Sequence, residues 1–303
     1  MQTHSQCRFF VGALALLFVF FSLGIARAQA QASQAPATQT QAQTPAQQAF
    51  AEANEAYDKR ENDKALAAYE HAIQLEPNNS DFHVGRAKAL ARLARHADAV
   101  EECSAALRLK PDSPITLRDR GHYYINLHRV KDAIPDLQRA EKLDKKDREI
   151  YYHLGLAYYI ARDFRHAVPA WQGCLALAGK DDDVISCSAW LYPSLVRAGG
   201  HEAEAKKVLE RITTEMKPKE NTAYFDRLML FKGAAAEEEV AKTMSAGGVA
   251  TPTVGYSIGL WHLLNGRHFQ AKEYFEKAAS AEIKYAFGAV AAEAELKRLK
   301  HLP

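Results

Sequence analysis

One period governs this chain. Small residues recur at Ala65, Ala99, Ala133 and Ala167, three consecutive steps of 34. Twelve positions before them stand Ala53, Ala87, Gly121 and Gly155, and seven after them stand Ala72, Ala106, Ala140 and Cys174. Four positions after each comes a larger side chain: Tyr69, Cys103, Leu137 and Trp171. A fixed period of this length marks a stacked array, in which one unit cannot bury its apolar face alone. The pattern is that of two antiparallel helices per unit. Small side chains at their crossing let the backbones approach, and the larger residue fills the groove beside it. Pro77 and Pro111 stop the second helix of the first two units and turn the chain.

This spacing resembles the tetratricopeptide repeat (TPR). The expected fold is all-α: a right-handed TPR solenoid of antiparallel helix pairs with a C-terminal capping helix. In register, the repeats run Ala46–Asn79, Ser80–Ser113, Pro114–Asp147 and Arg148–Asp181. The next small residue, Ala205, comes 38 positions after Ala167, with Asp181-Asp182-Asp183 as an acidic linker and Gly199-Gly200 as a longer turn. A fifth pair follows over about Val184 to Lys217, with a kink expected at Pro193. Asn221 to Ser245 holds a degenerate pair, so the irregular region covers 182–251. A clean repeat returns at Gly259, Gly266, Ala271, Phe275 and Ala278, and a helix over about Ile283 to Lys300 closes the 252–303 region. Its tail of Glu295, Lys297, Arg298 and Lys300 suits a solvated cap.

The N-terminus reads differently. Arg8 precedes an unbroken apolar run from Phe9 to Ile25, and Ala26-Arg27-Ala28 offers a small-x-small cut before Gln29. Residues 1–28 are expected to be a secretory signal. The product is then periplasmic or secreted; uncleaved, the same run would anchor it to a membrane, facing the periplasm. Residues 29–48 are rich in Gln and Ala, carry no charge, and read as a disordered linker.

The order of the irregular parts adds a narrower resemblance. The Trp190-Leu191-Tyr192 pair, the degenerate pair, the clean repeat and the last helix are arranged as in NlpI-type TPR proteins of the Gram-negative envelope. That resemblance implies a non-enzymatic, dimeric adaptor for envelope proteases or peptidoglycan hydrolases. Gln29 stands where a lipoprotein of that type would carry cysteine.

No motif for chemistry accompanies the repeats. Cys-x-x-Cys, His-Glu-x-x-His, Gly-x-Ser-x-Gly and Gly-x-Gly-x-x-Gly are all missing. Gly173 to Lys180 has five residues between its glycines and Asp181 where a phosphate loop needs Ser or Thr. No catalytic residue, cofactor or metal is therefore expected. His122, His153, His166, His262 and His268 fall at unrelated repeat positions. The chain has 39 basic and 37 acidic residues, and without Arg8 and Arg27 the balance from Gln29 onward is 37 to 37. Such neutrality argues against nucleic acid as a partner. Cys103 and Cys174 hold packing positions; Cys174 and Cys187 lie on surfaces that stack together, and an exported chain can bridge them.

In TPR superhelices the first helix of each pair lines the concave wall. The matching positions here are Phe50, Asn54 and Tyr57, then Val84, Lys88 and Arg92. Arg118, His122 and Asn126 follow, then Tyr152, Leu156 and Tyr159. Alternating aromatic and basic side chains suit an extended peptide or an acidic C-terminus, the tyrosines being open to either packing or contact roles. Of a carboxylate clamp only Asn54 is in place, Phe50 replacing its first lysine. Protein or peptide partners are the expectation. The alternative is a dimeric spacer without a groove.

Overall fold

The computed structural model describes residues 43–300. Helix caps repeat with the period. Helix α1 (Pro45–Asp58) starts behind Thr44, whose side chain accepts from the Gln47 amide while Gln47 reaches back to the Thr44 N–H. Helices α3 (Ser80–Arg92), α5 (Pro114–Asn126) and α7 (Arg148–Ile160) start behind Asn79, Ser113 and Asp147, each cap accepting a first-turn amide. These side chains satisfy donors that a helix start leaves unpaired. The partners are α2 (Asn62–Leu75), α4 (His96–Leu109), α6 (Val130–Leu143) and α8 (Phe164–Ala176). The linker expectation is corrected at its end: residues 45–48 belong to α1, because Pro45 sits at its first turn and Ala46 is buried against the second pair. Residues 29–42 and the signal expectation for 1–28 lie outside the described residues.

Each pair packs as the small-large pattern requires. A Cβ on Gly121 would fall 2.6 Å from Leu137, one on Gly155 2.6 Å from Trp171, and one on Gly259 2.7 Å from Phe275. Small residues at these crossings are thus a condition of the helix spacing. The turn inside each pair is also periodic: Arg60, Ala94, His128 and Arg162, again 34 apart, hold left-handed φ of 57–63°.

Beyond α8 the array departs from the pattern. Helix α9 (Asp181–Ala198) pairs with α10 (Glu202–Glu210), and α11 (Thr222–Lys232) precedes α12 (Glu237–Lys242) and a short 3-10 turn. Helices α13 (Ala250–Leu264) and α14 (His268–Ser280) form the last clean pair, followed by α15 (Phe287–Leu299). The acidic triplet is the first turn of α9 rather than a solvated linker. Asp182 is buried and accepts the amides of Lys219, Glu220 and Asn221, fixing the loop into α11. Burial pushes its carboxyl up, but these amides outweigh burial and hold it below the ordinary range. α9 runs on through Pro193; lacking an N–H, Pro193 frees the Ala189 carbonyl, and Arg227 of α11 donates to it at 3.3 Å.

The last helix is the main correction. α15 packs on α13 and α14 but also reaches α5 and α7, so it lies against the inner wall of the array. Glu295, expected in a solvated tail, is buried and binds Arg197 of α9 at 2.5 Å. The C-terminal third thereby closes onto the concave face of the third and fourth pairs. Cys174 and Cys187 are joined by a disulfide, which clips α8 to α9.

Candidate functional site

The concave wall divides into two regions with different fates. Along α1, α3 and the start of α5 it stays open, as a groove of about 510 Å³ lined by Phe50, Asn54, Tyr57, Asp81, Val84, Lys88, Lys110 and Ile115. Phe50 braces it, its ring 5.8 Å from Tyr69 and 4.8 Å from Phe82. Asn54 accepts from the Tyr69 hydroxyl at 2.7 Å, which fixes its amide. Ile115 at the far edge is 49% exposed, apolar area available to a partner.

The expected steering cations are not equivalent. Arg92 lies over the Tyr57 ring, 3.3 Å from its centroid, and donates to the Tyr57 carbonyl. Arg118 is corrected: it is held between Asp119 and Asp147, 2.7 Å from each, so its charge is already answered. Among the described residues neither Lys88 nor Arg92 pairs with a carboxylate, but Arg92 is held on Tyr57.

Over α5 and α7 the wall is covered. Tyr152 and Tyr159, expected as groove contacts, are only 8% and 2% exposed. Tyr152 packs edge-on against Trp171 and donates to the Tyr224 hydroxyl at 3.3 Å. Tyr159 accepts from Arg197 at 3.1 Å and from Tyr256 at 3.0 Å. These tyrosines bond to α9, α11 and α13 because the C-terminal pairs occupy the space a peptide would need. His122 stacks on His153 at 4.6 Å, and Phe287 of α15 meets both rings edge-on. Burial pushes both imidazoles down, His153 to about 4.

Between these regions lies a second pocket of about 560 Å³, open to solvent at Val249 and Tyr285. Tyr57, Lys88, Arg92, His96, His122, Tyr123 and Asn126 form one side. Residues 220–224, Val249, Ala250, Thr253 and the segment Tyr285–Phe287 form the other. The period identifies most of the first side. His96 was missed because it opens a second helix, and the opposing residues lie outside the repeats, where no periodic signal exists. Tyr285 and Phe287 are visible in sequence as apolar positions of the last helix, but not as a wall facing Tyr123.

Comparison with known proteins bears on the repeat fold. The tetratricopeptide repeat family model matches residues 50–114 and 118–172. Hsc70-interacting proteins 1 and 2 of Drosophila melanogaster are each 34% identical over 99 residues, 33% of this chain and 26% of those proteins. The small glutamine-rich tetratricopeptide repeat-containing protein 2 of Mycosarcoma maydis is 28% identical over 99 residues, 33% of this chain and 28% of its own. The chain thus spans about a quarter of the length of these relatives. A tetratricopeptide repeat protein from Parabacteroides merdae matches in structure with a TM-score of 0.56 at 17% identity, over 81% of this chain and 98% of that one. The MamA protein matches with a TM-score of 0.50 at 19% identity, over 62% and 93%. At these identities the two structures show the fold: stacked tetratricopeptide repeats.

Proposed function

We propose that this tetratricopeptide-repeat chain is an exported, non-enzymatic adaptor that holds a protein partner in the groove of its first three pairs. The observation that carries the reading is the open groove itself. It presents preformed aromatic and aliphatic area beside Lys88, whereas the wall beyond α5 is filled by the chain's own helices. Rigid ring surface with few cations favours an extended segment over a charged ligand, because little side-chain entropy is lost on contact. Lys88 and Lys110 line the groove together with Asp58 and Asp81, so its charge is balanced and its ring and aliphatic area carries the contact. Export is supported by the apolar run Phe9–Ile25 and the Ala26-Arg27-Ala28 site, and also by the Cys174–Cys187 disulfide, which suits an oxidising compartment. The NlpI-type order of the irregular parts supports a role in the bacterial envelope, where such an adaptor would bring proteases or peptidoglycan hydrolases together.

The test is affinity capture from envelope extract, comparing the parent chain with the double variant Lys110→Glu/Ile115→Asp. Both side chains line the groove and neither lines the second pocket. The variant is expected to lose the partner while keeping its unfolding midpoint; unchanged capture overturns the groove. Terminal sequencing of the exported protein is expected to begin at Gln29, and retention of Met1 in the cytoplasm overturns export.

A further inference from the structure

The seam between the repeat array and the C-terminal helices carries more positive charge than it answers. Arg162 in the turn between α7 and α8, Arg197 in the last turn of α9 and Arg298 in the last turn of α15 all meet one carboxylate, Glu295. Arg197 holds Oε1 at 2.5 Å, with little of its side chain exposed. Arg162 and Arg298 approach the other oxygen, Oε2, at 3.5 and 3.1 Å, and their side chains are 43% and 24% exposed. Among the described residues no second carboxylate pairs with any of the three. Asp163 is committed to His166 at 2.7 Å, and Glu293 to His128 at 3.5 Å.

Other partly buried arginines of the array are fully matched. Arg118 has Asp119 and Asp147, and Arg120 has both oxygens of Asp136. At the seam three guanidinia share a single carboxylate. Burial, Arg197 and Arg298 together push the Arg162 guanidinium below its ordinary pKa despite Glu295, as like charges held close require. Phe164 supports two of the three from one side, its ring centroid 5.6 Å from Arg162 and 4.3 Å from Arg197.

We propose that Arg162 and Arg298 bind a phosphate group across this seam. Two guanidinia flanking one carboxylate oxygen keep further N–H donors, and a tetrahedral oxyanion can accept from both at once. A dianion answers both cations that Glu295, engaged by Arg197, leaves over; a second carboxylate would answer one. Bound there, phosphate joins the turn of the fourth pair to α15 and tightens the C-terminal closure. Free phosphate and the phosphoryl end of a larger molecule share this chemistry. The site lies apart from the groove, and none of the groove's lining residues takes part.

Thermal denaturation of the full chain at neutral pH tests it, in sodium phosphate against sodium chloride of equal ionic strength. At about 10 mM, phosphate is too dilute to act by exclusion from the protein surface, so a shift reports binding. The midpoint is expected to rise by about 3 °C in phosphate relative to chloride. Glycerol 3-phosphate is the second probe. A shift from inorganic phosphate alone identifies the free ion, and a shift from the ester identifies a phosphoryl group on a larger molecule. Arg162→Met and Arg298→Met are each expected to abolish the shift while keeping the midpoint in chloride, since each removes a surplus charge. Lys88→Met should keep the shift, so a failed groove leaves this site standing. Hydrogen exchange should show α15 gaining protection in phosphate. Equal parent midpoints in chloride and in both phosphates overturn the proposal, as does a shift that survives in either arginine variant.

Discussion

The Arg197 guanidinium donates to Glu295 at 2.5 Å, with side chains 8% and 5% exposed, tying α9 to the last helix across 98 positions. Arg162 and Arg298 approach the same carboxylate at 3.5 and 3.1 Å. Removing one partner of a buried pair strands the other charge, at about 3–5 kcal/mol. Glu295→Gln is therefore expected to lower stability by about 3 kcal/mol. Hydrogen exchange should show α15 and α13 losing protection before α1–α4. Uniform loss across all helices would contradict a local closure.

The His122–His153 stack makes stability depend on pH. Burial depresses both imidazoles, and His153 titrates at about 4 in the folded chain against about 6.5 unfolded. Facing groups include Asp119, Arg118, Asp147, Arg148 and His96, and the His153 Nδ1–H donates to the Glu149 carbonyl. Between these values the unfolded chain binds more protons, so stability is complete above pH 6.5 and falls as pH drops toward 4. His153 alone accounts for about 3 kcal/mol. Urea titrations at pH 7 and pH 4.5 should show the loss, and His153→Phe should shrink it; an unchanged slope with pH counts against the assignment.

The Cys174–Cys187 bridge closes a short loop, 13 positions in sequence. Constraining the unfolded chain over such a loop stabilises by about 3 kcal/mol. Cys174→Ala/Cys187→Ala should lower the midpoint accordingly in a denaturant titration, and reductant should have no further effect on that variant. Cys103 is buried and its thiol pKa is raised by burial, so it should react with thiol reagents only after denaturation.

Helix spacing should be sensitive to a single methyl. Gly155→Ala places a carbon 2.6 Å from the Trp171 indole, which is itself fully buried. Overpacking of this kind costs about 1–3 kcal/mol. Gly179→Ala, with nothing within 4 Å, is the control and should not destabilise. Equal midpoints for the two variants would show that the helices move apart freely.

The opposite sign is expected at the left-handed turns. Ala94 holds φ 57° with a side chain that strains there. Ala94→Gly relieves that strain at some cost in unfolded-chain entropy, for a net gain of about 0.5 kcal/mol. Gly266 already stands at the equivalent turn of the last clean pair, with φ 73°. Thermal denaturation of the variant tests the sign.

The 34-residue period is a local property, and what it dictates is local: two helices per unit, small residues at Gly121 and Gly155, large ones at Leu137 and Trp171, and an inner wall formed by α1, α3, α5 and α7. Those features rest on contacts between residues about 16 or 34 positions apart, which a repeating pattern encodes. It equally brings Phe50, Asn54, Tyr57 and Lys88 to one groove. Which part of that wall stays open is not periodic. It depends on Tyr159 meeting Tyr256, Tyr152 meeting Tyr224, and Arg197 meeting Glu295, single contacts 97, 72 and 98 positions apart. The sequence alone therefore determined a repeat array with an inner wall. Only the tertiary structure decided that the C-terminal helices cover the wall over α5 and α7, because one-off packing between distant segments leaves no repeat to read.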